Sequence, residues 1–160
     1  MKTPTRRELL DHLSGFLTER RLERMKQVLD QRTRFLTVVL EDIYQSHNAS
    51  AVLRSCECFG IQDVHIIENR NAFEVNPEVV MGASKWLDLH RYQNQDTNTA
   101  DCLKELKSSG YRLVAATPHK NDCLLEDLPL EEKTALIFGT EMEGLSETAL
   151  QMADGFVTIP

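Results

Sequence analysis

Two short stretches hold the residues best suited to chemistry. In Gly139-Thr140-Glu141-Met142-Glu143-Gly144-Leu145, a carboxylate stands two residues after one glycine, and a second glycine follows. Glycines there allow positive φ or close approach of a ligand to the backbone. In His47-Asn48-Ala49-Ser50-Ala51-Val52-Leu53-Arg54-Ser55, an amide and a guanidinium are separated by about 9 Å of helix axis, at ~1.5 Å per residue. A guanidinium, with a pKa above ~12, is a poor general base but a good phosphate clamp and electrostatic stabiliser. From the residues alone both stretches stay open. The glycine loop fits a ligand site and equally a tight turn with an exposed glutamate. Arg54, two turns into its helix and off the apolar stripe, fits an ordinary surface arginine.

The elements that position these residues can be read from apolar runs and caps. Residues 135–138 form an apolar run, expected as a strand buried on both faces, and Ser146 offers an N-cap to a helix over 147–153. Residues 35–40 read as the first strand. Asn48 reads as the N-cap of a helix over 49–59, stopped by Gly60, with Val52, Cys56 and Phe59 as its buried stripe. Further strands are expected at 64–67, 87–92, 112–116 and from Gly155. A helix capped by Asp96 or Thr97 runs through Lys107, 69–76 is a loop, and 124–129 is a turn. This alternation predicts an α/β fold with a mostly parallel sheet and flanking helices. Ligands bind such sheets at the carboxyl ends of strands. Three loops share that side: the one with His47 and Asn48, Thr117-Pro118-His119-Lys120-Asn121, and 139–145.

Several chemistries lack their signatures. No Gly-x-Gly-x-x-Gly follows the first strand, and no phosphate loop ends in Gly-Lys-Ser/Thr. No nucleophile elbow is present. His12, His47, His65, His90 and His119 have no metal-ligand spacing, and Cys56-x-Cys58 is too close for a zinc pair, so the four cysteines read as buried reduced thiols and no metal is expected.

With 160 residues, 41% hydrophobic and 27% charged, the chain reads as globular, with neither a membrane span nor a signal peptide, and as cytoplasmic. The formal charge of −7 argues against indiscriminate nucleic-acid binding. Charge is uneven, however. Residues 1–34 carry nine Lys and Arg against five acids, net +4, which leaves −11 for the remainder. The division drawn from this is a basic helical extension over 1–34 and an acidic body over 35–160. In the extension, Thr5-Arg6-Arg7-Glu8 fits a capping box, and Thr18 caps a second helix with Leu22, Met25, Val28 and Leu29 at helical spacing. Its arginines fit a solvated face as well as an RNA contact.

The order of motifs resembles a known family. Asn48-Ala49-Ser50-Ala51-Val52-Leu53-Arg54-Ser55 is similar to the first motif of SPOUT methyltransferases of the SpoU/TrmH type, and 136–145 to their second. Phe156-Val157-Thr158-Ile159-Pro160 is similar to the opening of the third, and Gly82-Ala83-Ser84-Lys85-Trp86 resembles tRNA guanosine-2′-O-methyltransferases in particular. The resemblance covers about 36–160. It implies an S-adenosylmethionine-dependent homodimer, with a trefoil knot forming the cofactor pocket and each site built across the interface. It further implies Arg54 as the catalytic arginine, Asn48 as its support, Glu141 near the site, and Thr117, Gly139 and Ile159 along the cofactor. The substrate implied is the 2′-hydroxyl of a guanosine in the D-loop of tRNA, with RNA contacts at His47, Arg6, Arg7, Arg20, Arg24 and Lys85. The family's third motif continues beyond Ile159-Pro160 with a glycine, a serine, an asparagine and a final helix. The expectation is therefore a C-terminal knot segment absent from this chain, with weak cofactor binding by the 160 residues alone. A ribosomal-RNA methyltransferase and a non-catalytic RNA-binding or dimerisation module are the competing readings.

Overall fold

The computed structural model describes residues 3–93, 96–118 and 123–159; His119, Lys120, Asn121 and Pro160, named above, lie outside these. Two compact units divide between Arg32 and Thr33, two residues ahead of the division drawn from composition. Thr33 already pairs with the second unit, its N–H donating to the Gly60 carbonyl at 2.8 Å. The first unit holds α1 (Arg6–Ser14) and α2 (Glu19–Asp30). Thr5 and Glu8 form the capping box reciprocally, and the Thr18 hydroxyl accepts from the Arg21 N–H at 3.3 Å.

The second unit is built on strands β1 (Leu36–Glu41), β2 (Asp63–Ile67), β3 (Asp88–Tyr92), β4 (Arg112–Ala116), β5 (Cys123–Leu124), β6 (Thr134–Phe138) and β7 (Gly155–Thr158). They form one sheet in the order β3-β2-β1-β6-β4-β7-β5, with every pairing parallel. Helices α3 (Ser46–Cys58) and α4 (Pro77–Val80) and the 3₁₀ turn Ala83–Lys85 supply one packed layer, while α5 (Asn98–Ser108) and α6 (Glu147–Met152) supply the other. Successive residues of a strand face opposite sides. Val38 and Leu40 of β1 therefore pack with Leu53, Cys56 and Val80, whereas Val39 packs with Leu103, Leu106 and Ala149. Helices cover both faces, which is why the strands read as continuous apolar runs.

Four local expectations are corrected. Helix α3 starts at Ser46 after Gln45, so Asn48 lies inside its first turn and is not the N-cap. The buried stripe is Ala49, Leu53 and Cys56 with Val52 half-buried. Phe59 is 81% exposed because the helix ends at Cys58 and the chain turns away at Gly60, φ 76°. Leu124, expected to open a turn over 124–129, instead pairs with β7 together with Cys123 as a two-residue strand. Cys58 is exposed, whereas Cys56 and Cys102 are buried, and burial pushes the Cys56 thiol up to about 11.

Candidate active site

Strand order decides which loops meet. Because β6 lies between β1 and β4, the loop after β6 sits between the loops after its two neighbours. That central loop closes on itself. The Thr140 N–H donates to the Gly144 carbonyl at 3.1 Å and the Gly144 N–H to the Thr140 carbonyl at 2.9 Å. A Cβ on Gly139 would stand 2.2 Å from the Gly144 carbonyl oxygen, and Gly144 has φ +74°. Both positions therefore require glycine for the turn itself.

On the β1 side lies a pocket of about 420 Å³ with an apolar floor of Leu40, Ile43, Val52 and Phe138 and a polar rim that includes Asn48, Arg70 and Glu141. On the β4 side lies a second pocket of about 420 Å³, lined by Ala116, Thr117, Leu145, Leu150 and Ile159. Residues 138–143 wall both pockets. The loop is a partition between two sites.

The two motif stretches meet at this partition. The Asn48 amide donates to Glu141 Oε1 at 2.5 Å and to Gln45 Oε1 at 3.2 Å. This contact explains the corrected position of Asn48: its side chain is turned outward to the second loop instead of capping its own helix. Glu141 Oε2 accepts no hydrogen bond among the described residues. Thr117, Gly139 and Ile159 come together as lining of the second pocket. Arg54 is not brought into either lining. It is exposed on α3 and makes no ion pair among the described residues. His47 is exposed in the first turn of α3, and Lys85 is exposed at the end of the 3₁₀ turn, three residues before β3 begins. In the first unit Arg6 and Arg7 are exposed in the first turn of α1, and Arg20 and Arg24 line a shallow groove along α2 with Gln27.

Residue-by-residue reading missed Asp42, Arg70 and Glu143. Asp42, in the left-handed region at φ 54°, accepts the N–H groups of Asn69 at 2.7 Å, Arg70 at 2.8 Å and Asn71 at 3.3 Å on one oxygen. Arg70, so placed, pairs with Glu143 at 2.6 Å, and this hydrogen bond raises the guanidinium pKa further above its usual value. The available signal was an acidic residue just past an apolar strand, which tolerates left-handed backbone better than most.

A parallel α/β sheet with two pockets at the carboxyl ends of adjacent strands defines a class of proteins that bind ligands along that edge. Residues 35–160 match the model of the SpoU rRNA Methylase family, and the chain belongs to that family. It is 44% identical over 148 residues, 92% of this chain and 66% of the relative, to a tRNA (guanosine(18)-2′-O)-methyltransferase of Borreliella burgdorferi. It is 32% identical over 143 residues to the enzyme of that name from Thermus thermophilus, covering 89% of this chain and 72% of the relative. The chain thus spans about two thirds of the length of these relatives. Among solved structures it resembles the A. aeolicus TrmH/SpoU tRNA modifying enzyme, with a TM-score of 0.78 and 26% identity over 89% of this chain and 71% of that one. The SpoU methyltransferase AviRb of Streptomyces viridochromogenes shares the fold, with a TM-score of 0.67 at 24% identity, over 87% of this chain and 53% of that one.

Proposed function

We propose that this protein transfers a methyl group from S-adenosylmethionine to the ribose 2′-hydroxyl of a guanosine in the D-loop of tRNA. The observation that carries the reading is the Asn48–Glu141 hydrogen bond, which joins the two motif stretches at the wall between two pockets. The named activity of the relatives, tRNA (guanosine(18)-2′-O)-methylation, supports tRNA over ribosomal RNA and over a non-catalytic module. A structure of AviRb in complex with the cofactor AdoMet supports the choice of methyl donor.

The residues present fit that cofactor. The β4-side pocket, at about 420 Å³, is of a size to take a small molecule. Ala116, Leu145, Leu150 and Ile159 offer apolar cover for an adenine, and Thr117 and Gly139 offer backbone groups on its rim. Bound there, S-adenosylmethionine supplies an activated methyl group. The β1-side pocket takes the acceptor nucleoside across the partition. Asn48 holds one oxygen of Glu141, leaving the other to accept the hydrogen bond of the 2′-hydroxyl and set its direction. The Arg54 guanidinium acts on a neighbouring phosphate as a clamp, from the exposed face of α3. His47, Lys85 and the arginines of α1 and α2 (Arg6, Arg7, Arg20 and Arg24) extend the RNA contact. The working form is a cytoplasmic homodimer in which a C-terminal trefoil knot completes the cofactor pocket and the partner completes each site. Within it, residues 1–34 are the RNA-binding extension and 35–160 belong to the methyltransferase domain.

Incubation of the full-length protein with a tRNA transcript and S-adenosylmethionine, followed by nucleoside mass analysis, tests the reading. One 2′-O-methylguanosine per tRNA is expected, lost when the D-loop guanosine is replaced by adenosine. Methylation of ribosomal RNA alone, or of neither RNA, would overturn it.

A further inference from the structure

The end of β1 carries a buried carboxylate that no step above uses. Glu41 is 2% exposed. Its Oε2 accepts the Ser146 N–H at 2.8 Å, and its Oε1 accepts the hydroxyls of Ser146 at 2.7 Å and Thr99 at 2.6 Å. These three donors come from two residues, Ser146 and Thr99, both far from Glu41 in sequence. Ser146 directly follows the 139–145 loop and caps α6, and Thr99 lies in the first turn of α5.

The donor pattern selects the group. The Ser146 hydroxyl already accepts from the Ala149 N–H at 3.1 Å, and the Thr99 hydroxyl accepts from the Asn69 amide at 3.0 Å. Each hydroxyl proton therefore goes to Glu41, and so does the Ser146 N–H. Three converging donors require acceptors on both oxygens. An amide at this position meets either the N–H or the hydroxyl pair with its own N–H groups. Glutamine is isosteric and still wrong.

The 139–145 loop is thus held at two points by adjacent residues of one strand end. Glu41 fixes Ser146 directly. Asp42 fixes residues 69–71, and Arg70 from that segment holds Glu143. We propose that Glu41 is a positioning residue for methyl transfer: its buried carboxylate fixes Ser146, and through it the loop that walls both pockets. The functional part of this inference rests on the reading given under Proposed function; the structural part does not.

The test uses the full-length protein with Glu41→Gln, Ser146→Ala, their double variant, and Thr37→Val as a control. Thr37 makes a buried 2.7 Å hydrogen bond to the Asp63 carbonyl near the opposite end of β1, so its loss destabilises without touching the loop. Amide hydrogen exchange over 139–150 and equilibrium dialysis of S-adenosylmethionine are the readouts. In Glu41→Gln, loop exchange and the cofactor dissociation constant should each rise about tenfold or more, as expected for loss of a hydrogen bond to a charged group. Thr37→Val should change neither. Ser146→Ala should show a smaller shift of the same kind, and the double variant should fall short of the sum. If Glu41→Gln does not fold, Ser146→Ala alone decides by its exchange over 139–146, ahead of the α6 cap that it also removes. Loop exchange in the variants equal to that of Thr37→Val overturns the proposal. A wild type that exchanges as expected but methylates no tRNA overturns the functional reading and leaves Glu41 judged by exchange.

Discussion

Arg54 stands exposed and, among the described residues, without an ion pair, whereas Asn48 and Glu141 are locked together at the partition. In the proposed reading they do separate work. Arg54→Ala should abolish methyl transfer while leaving the dissociation constant for S-adenosylmethionine within about twofold, because Arg54 lines neither pocket. Arg54→Lys should fail likewise, since an ammonium lacks the planar fork for a bidentate phosphate contact. Equal loss of cofactor affinity and rate, measured by dialysis and single-turnover kinetics, contradicts this division. Gly139→Ala makes the opposite prediction. The added methyl meets the Gly144 carbonyl at 2.2 Å, so the closed turn must open. Cofactor affinity and thermal midpoint should fall together, and an unchanged affinity would show that the turn is not part of the pocket.

At the scale of elements, what was legible in the sequence was local. The run before Gly139, the two glycines and the Ser146 cap lie within one short stretch, and β6, its loop and α6 form there. What was not legible is decided by partners distant in sequence. Asn48 has the composition of an N-cap, yet its amide goes to Glu141 on another strand's loop. Glu41 falls just past the strand expected over 35–40, and only the fold brings Ser146 and Thr99 onto it. A two-residue strand such as β5 has no periodicity to read. The helices α1 and α2 carry a prediction of their own. Reversing Arg6, Arg7, Arg20 and Arg24 to Glu should weaken tRNA binding and flatten its dependence on salt, since each phosphate contact adds to the salt slope. Affinity unchanged across a salt series would reduce these arginines to surface charge.

At the scale of the molecule, a second polar cluster bears on stability. His65 is buried and stacks on His90 at 4.6 Å between ring centroids. Tyr92 donates its hydroxyl to Glu105 at 2.9 Å, so His65 Nδ1, 3.1 Å from the same oxygen, carries the proton and donates. Asp63 accepts from His90 Nε2 at 2.9 Å and also pairs with Arg34. Burial chiefly, and then the neighbouring His90, pull the His65 pKa down from 6.5 to about 4. Between those values the unfolded chain holds the proton and the native one does not, so stability falls as pH drops through that window. The thermal midpoint should decline from pH 6.5 towards 4, and His65→Gln should flatten the decline. An identical slope in the variant would place the acid sensitivity elsewhere.

In the proposed function one glycine loop partitions two sites, with the methyl donor on the β4 side and the acceptor on the β1 side. Backbone amide shifts of the full-length protein, recorded on adding S-adenosylmethionine alone, test it most directly. The expected shifts fall at Ala116, Thr117, Gly139, Gly144, Leu145 and Ile159, while Tyr44, Gln45 and Asn71 stay still. Shifts centred on Tyr44, Gln45 and Asn71, with Thr117 and Ile159 unmoved, would put the cofactor on the wrong side of the partition and contradict the account.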